Sequence, residues 1–176
     1  MSRSASSSTA ALPIAHVVLR ILIVLNWLGG AAIAVLLVAM PTSRWIRSAL
    51  DVPPWADASG LIIGLHAIAV FGLAAIPLNY AVLGRLLAIV ETVRAGEPFV
   101  AANAHRLQAI AWALLALQLI SIVIGGIARA VSTPAHPIHV SAGFSVNGWL
   151  AVLLTFLLAR VFAEGTLMRE DLEGTV

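Results

Sequence analysis

The amino-acid sequence predicts an all-α membrane protein, a four-helix transmembrane bundle running up-down-up-down. Three observations carry this expectation. The 176 residues are 61% apolar and only 10% charged, with a mean hydropathy of +1.02, where a soluble domain carries about a quarter charged residues. Four segments are long and apolar enough to cross the hydrocarbon core, which takes about 20 helical residues because every backbone polar group there must be satisfied within the segment. The connections between them are short, which favours antiparallel neighbours.

Residues 1–13 begin with the Ser-rich, low-complexity run Met1–Thr9 and read as a disordered N-terminus. The first span is expected at about residues 17–40, with no charge from Ile21 to Met40. A secretory signal has an apolar region of about 7–15 residues and a small-x-small site. Here the uncharged run is longer and ends in Pro41-Thr42-Ser43, so it reads as a retained span. The second span is expected at about 61–84, and only Pro77 interrupts helix-compatible sequence from Leu61 to Ala95. Such a helix is roughly 50 Å long at 1.5 Å per residue, about 20 Å more than the core requires. Gly96 suits a left-handed C-terminal cap and Pro98 the first turn of the next helix. Helices two and three therefore form a hairpin extended beyond the membrane, with its tip at Arg94–Asn103.

The third span, about 106–129, is apolar except for Gln108, Gln118 and Ser121. The fourth, about 145–164, is the weakest: only Gly148 to Ala159 is nearly continuously apolar, and the helix continues past Arg160 towards Leu172. Residues 14–168 make up the membrane domain, and 169–176 a charged C-terminal tail. Two Pro-, Gly- and Ser-containing loops, Pro41–Gly60 and Ser132–Asn147, lie on the opposite face.

Orientation follows from arginine, the one basic residue besides histidine. Arg3, Arg20, Arg85, Arg94, Arg106, Arg160 and Arg169 lie on the side of the termini, against Arg44, Arg47 and Arg129 on the other. Cytoplasmic flanks collect positive charge, so both termini and the hairpin tip are expected in the cytoplasm. With no Cys, disulfide scaffolds and thiolate chemistry are excluded. A net charge of +2 leaves almost no surface for neutralising phosphates, so no direct nucleic-acid binding is expected. No nucleophile elbow, phosphate loop or dinucleotide fingerprint is present, and neither an enzyme nor a cofactor site is expected.

Two stretches on the hairpin side carry a resemblance: Arg94-Ala95-Gly96-Glu97-Pro98-Phe99 with Asn103 and Arg106-Leu107, and Val161-Phe162-Ala163-Glu164-Gly165 with the closing run Leu167 to Val176. With the four-span layout, these resemble the bacterial membrane family called domain of unknown function 2975, over residues 14–176. The resemblance implies a multi-pass protein of the bacterial inner membrane, without established activity, often encoded beside a small helix-turn-helix transcription regulator. Where the family places a Ser-type cap with acidic residues after Pro-Phe, this chain has Val100-Ala101-Ala102. Glu97 is then the side chain expected to serve the start of the third helix.

The leading expectation is regulatory binding: tip and tail hold a cytosolic partner such as that regulator, through Glu97, Phe99, Asn103, Arg106, Glu164, Arg169, Glu170 and Asp171. An equally concrete role for these residues is structural, with Phe99 packed under the hairpin and the charges fixing helix ends. The alternative is a small-molecule or lipid binder or transporter using an interior polar seam of Asn26, Gln118 and Arg160. Stripes Asn26-Gly30-Ala34 and Gln108-Leu115-Gln118-Ile122-Gly125-Arg129 read first as packing seams, because small residues and amides join membrane helices. Arg20, Arg85, Arg106 and Arg160 stand near the inner boundary, as snorkelling residues or as a basic ring for anionic headgroups. Arg160 follows only a dozen apolar residues and calls for a carboxylate, Glu164 or Glu91. Gly60 and Gly64, with Ala67 and Ala74, offer a close-packing face for the bundle or a homodimer. His66 on another side of this helix reads as a hydrogen-bonded interior residue. His136 and His139, with Asp51 or Asp57, lack the i, i+4 spacing of helical metal ligands, and no metal site is expected.

Overall fold

The computed structural model describes residues 5–39, 48, 59–132 and 141–173, with side chains from Leu12 to Val38 in the first segment and as far as Arg169 in the last. It contains four long helices: α1 (Ala5–Ala39), α2 (Ser59–Arg94), α3 (Ala101–Val131) and α4 (Val146–Glu173). There is no strand among the described residues. All four are long and apolar enough to cross a membrane, over Leu12–Val38, Ser59–Arg94, Ala101–Val131 and Val146–Arg169. The fold is an all-α four-helix bundle, and the chain is a multi-pass membrane protein.

α1 starts at Ala5, so the Ser-rich run expected to be disordered is drawn into helix as far as that residue. Once a span has nucleated, adding residues at its end is cheap, and Ala5, Ala10 and Ala11 favour it. α2 has 36 residues, about 54 Å of helix, and α4 continues to Glu173, so the residues from Arg169 to Glu173 are helical rather than a separate tail.

The extensive interfaces join consecutive helices: α1 to α2, α2 to α3 and α3 to α4. Each uses a residue small enough to let backbones approach. At α1–α2, Gly30 is buried and a Cβ there would come within 3.1 Å of the Ile76 side chain. One turn earlier, Asn26 Nδ2 donates to the Ile76 carbonyl at 3.1 Å, and Trp27 meets Tyr80 at a ring separation of 5.7 Å. At α2–α3, Gly64 receives Val131. On the same face Ala67 is half-buried and Ala74 exposed, and a Cβ on Gly60 meets no described residue, so among the described residues the close approach is at Gly64. At α3–α4, Gly148 lies against the Gln118 amide. Just before α4, the backbone of Ala142 and Gly143 packs onto Gly125, while Ser121 Oγ accepts from the Gly143 amide at 3.1 Å.

α3 supplies most of the buried residues. In the hairpin half, Leu107 and Ile110 form a core with Ala159, Leu86, Ile89 and Phe162. The outer faces of α1 and α4 expose Val17, Leu28, Val35, Leu153 and Leu157. Such surface has no reason to hide from hydrocarbon, which explains why these two helices pack along one side only. His66 Nδ1 lies 2.8 Å from the Ile62 carbonyl within its own helix.

Gly125→Ala brings a methyl group within about 3 Å of backbone, which cannot swing aside as a side chain does. The expected loss is about 1–3 kcal/mol, read from thermal unfolding of the detergent-solubilised protein. Gly126→Ala meets no atom within 4 Å and should leave unfolding unchanged or raise it slightly.

Candidate functional site

The hairpin end is built from the last turn of α2, the tip, the first turns of α3 and the end of α4. Gly96, at φ 85°, ends α2. Its amide reaches the Val93 carbonyl at 3.1 Å and the Glu97 amide reaches Thr92 at 3.0 Å, the paired arrangement that satisfies terminal carbonyls. The Asn103 amide then bonds back to the Val100 carbonyl at 2.8 Å as α3 begins. Val100 provides no side-chain cap, and Glu97 is exposed, with no bond to the start of α3.

The residue that fixes the turn is Asn103, whose side chain bonds α2, the tip and Arg106 rather than the N–H groups at the start of α3. It is 0% exposed, the largest side chain buried so completely. Its Nδ2 donates to Thr92 Oγ1 at 2.7 Å and to the Pro98 carbonyl at 2.9 Å, and its Oδ1 accepts from Arg106 NH1 at 2.8 Å. Thr92 Oγ1 in turn donates to the Ile89 carbonyl at 2.8 Å, and Arg106 reaches Ala88 at 3.4 Å. α2, the tip and α3 are thus joined through one carboxamide. Thr92 was not singled out from sequence, although it lies as far before the Glu97-Pro98 turn as Asn103 lies after it.

Phe99 is partly exposed and joins the tip to α4: its ring centroid is 5.3 Å from that of Phe162, and its edge lies against Gly165. One turn on, buried Thr166 donates to the Phe162 carbonyl at 2.8 Å. Of the eight residues expected to meet a partner, Phe99, Asn103 and Arg106 are occupied in holding this end together. Glu97, Glu164 and Arg169 are exposed. The side chains of Glu170 and Asp171 lie outside the described residues, as do His136, His139, Asp51 and Asp57.

A family model described as "Protein of unknown function (DUF2975)" matches residues 46–176. The chain belongs to this family. The match takes in α2, α3 and α4 with both quoted motifs, and starts after α1. No curated protein and no solved structure matches the chain.

The remaining polar residues of this DUF2975 protein fall in three separate places. Asn26 is at the α1–α2 seam, and Gln118 is buried between α3 and α4, its Nε2 without a hydrogen-bond partner among the described residues. Arg160 is on the surface of α4 near the hairpin end, its side chain 77% exposed. The expected interior seam therefore does not assemble into one path. Arg160 pairs with Glu164, Nε to Oε1 at 2.8 Å, which fits their i, i+4 spacing. Glu91, the other expected partner, faces α1 and stands 4.0 Å from His16 Nδ1.

Cross-helix contacts place the arginines of the four helices at the hairpin end of the bundle. His16 beside Glu91 and Asn26 beside Ile76 set α1 against α2 so that Arg20 falls level with Arg85. The Thr92–Asn103 bond sets α2 against α3 so that Arg85 falls within about a turn of Gln108. Phe156 against Trp112 and Phe162 against Phe99 place Arg160 opposite residues 101–108 of α3, level with Arg106. Arg20 and Arg85 therefore lie about a turn or more deeper than Arg106 and Arg160, and the four make an arginine-bearing zone at the hairpin end, in which Arg85 NH1 donates to the Ala81 carbonyl at 3.0 Å.

Asn103→Ala removes all three side-chain bonds and leaves Arg106 without its carboxamide partner. The expected cost is about 1–3 kcal/mol or more, since buried polar groups lose their partners, measured by thermal unfolding. Glu97→Gln, at an exposed position, should shift stability by less than about 0.5 kcal/mol.

Proposed function

We propose that the protein is a membrane-anchored binding protein whose hairpin end holds a soluble partner at the cytoplasmic face of the bacterial inner membrane. The arginine asymmetry supports this orientation. The observation that carries the reading is a tip that is both overlong and braced. From Arg85, α2 runs nine more residues to Arg94, about 13 Å beyond it. A segment made only to turn the chain would need neither that length nor a buried carboxamide and an aromatic contact to fix it. Holding a surface rigid before binding lowers the cost of association, and this end presents Arg94, Glu97, Glu164 and Arg169 around it. The partner best supported is the helix-turn-helix transcription regulator implied by the family resemblance. The protein then acts by holding that regulator away from its DNA or releasing it, without catalysis of its own. A transport reading gains nothing from Asn26, Gln118 and Arg160, which stand apart.

The chain has no Cys, so orientation can be tested with single introduced thiols. Ala102→Cys, at the exposed tip, should resist an impermeant thiol reagent in intact cells, whereas Ser141→Cys, at the exposed opposite end, should react. The reverse pattern places the hairpin outside and ends the cytosolic-partner reading.

The partner itself is tested by the double charge reversal Arg94→Glu, Glu97→Lys, which touches no bond of the hairpin. It should leave unfolding of the solubilised protein unchanged and lower co-purification of the regulator with membranes about tenfold, equivalent to about 1.4 kcal/mol. Full retention of the regulator would contradict the assignment of this surface.

A further inference from the structure

A groove of about 460 Å³ runs between α3 and α4 beneath the hairpin tip. It exists because the facing positions are small: Ala101 and Ala104 on α3 stand opposite Ala159 and Ala163 on α4. Its deep end is closed by Phe156, which stacks edge-on against Trp112 at 5.3 Å. Its lining is apolar apart from four side chains spread along its length: Gln108 towards the Phe156 end, His105 and Arg160 midway, and Thr166 towards the tip. A volume of this size accepts a small ligand or part of a larger one.

Three properties identify the occupant. First, the groove opens at the hairpin end beside Arg160 and level with Arg106, in the zone where the helices carry their arginines, the residues that snorkel to the phosphate layer of a bilayer. Second, Arg160 uses only Nε for Glu164, and among the described residues no protein acceptor meets its two terminal nitrogens. Those nitrogens can bind an oxyanion in the planar, two-pronged manner a guanidinium favours. Third, the remaining polar groups can donate: the His105 ring, the Gln108 amide, and the start of α3 at Ala101, which has no side-chain cap and carries the positive end of the helix dipole. A neutral solute would leave these donors unmatched, and a fully water-soluble anion would leave the apolar floor at Phe156 and Ala159 uncovered.

We propose that this groove binds one anionic phospholipid of the surrounding bilayer, with its phosphate on Arg160, assisted by His105 and Gln108, and an acyl chain over Ala159 and Phe156. Glu164 is the built-in competitor, since its carboxylate holds Arg160 Nε and opposes a second negative charge. The site shares Glu164 with the surface proposed above for a soluble partner, but lipid binding can be tested without that partner.

The test uses the full-length protein purified in detergent, delipidated, and offered phosphatidylglycerol or phosphatidylcholine with identical oleoyl chains. Retained lipid is counted by native mass spectrometry. The wild type should retain phosphatidylglycerol preferentially. Arg160→Gln should lower that retention about fivefold, the effect of one cation close to a lipid surface, with phosphatidylcholine unaffected. Ala101→Trp, which fills the exposed mouth, should exclude the lipid while Arg160 stays in place. Glu164→Gln should raise phosphatidylglycerol retention. These last two variants decide the matter if Arg160→Gln does not fold. Equal retention of both lipids by the wild type would overturn the proposal. So would undiminished phosphatidylglycerol retention in both Arg160→Gln and Ala101→Trp, or a fall in retention on Glu164→Gln.

Discussion

A carboxamide with no access to solvent must find protein partners for its oxygen and both amide hydrogens, or the fold bears the cost of stranding it. Asn103 meets that requirement completely, with one hydrogen to Thr92, the other to Pro98 and its oxygen to Arg106. The three bonds reach the last turn of α2, the connecting tip and the following turn of α3, so a change in one alters the other two. With that end fixed, the register of α2 against α3 follows along their whole length, to Gly64 meeting Val131 at the far end. α1 and α4 dock against this pair, and Phe99 extends its brace to Phe162.

Much of the architecture was legible because the bilayer leaves few alternatives. Length and apolarity give four helices, and Gly96 followed by Pro98 gives the turn, since few other residues suit a left-handed cap and a first helical turn in that order. Helix ends were less legible. Ser-rich composition pointed to disorder, yet α1 reaches back to Ala5, because extension of an existing helix is governed by propagation rather than by burial. The site was half legible. Asn103, Phe99 and Arg106 were selected for the right neighbourhood, but they turn inward to build it. Sequence cannot separate a residue that presents a surface from one that supports it, because both are polar or aromatic at the same turn. Thr92 belongs to no motif in the sequence; its importance lies in a hydroxyl that accepts from Asn103 across the turn and donates to Ile89. Arg160 looked buried by its place in the run, but one-sided packing leaves it on the outer surface of α4.

The polar residues of the spans illustrate how a membrane bundle distributes its amides. Asn26 donates to the Ile76 carbonyl beside Pro77 of an unbroken α2, one turn from the close approach at Gly30; the carbonyl that Pro77 leaves without its usual N–H is a different one, four residues earlier at Leu73. Gln118 fills the space that Gly148 leaves open. The two amides answer different neighbours, so positions that form a stripe on one helix drawn alone belong to unrelated contacts in the bundle.

The serial order of the interfaces bears on how the molecule is made. Each extensive contact joins a helix to the one synthesised just before it, so a newly inserted helix already has its dock in the membrane and waits for none to come. The α2–α3 hairpin can close its polar lock before α4 leaves the ribosome. α4 then seats against a finished surface, with Gly148 and Gly165 receiving Gln118 and Phe99 at its two ends. Assembly is thereby ordered by translation, and the chain has little opportunity to exchange helices with a neighbour inserted beside it.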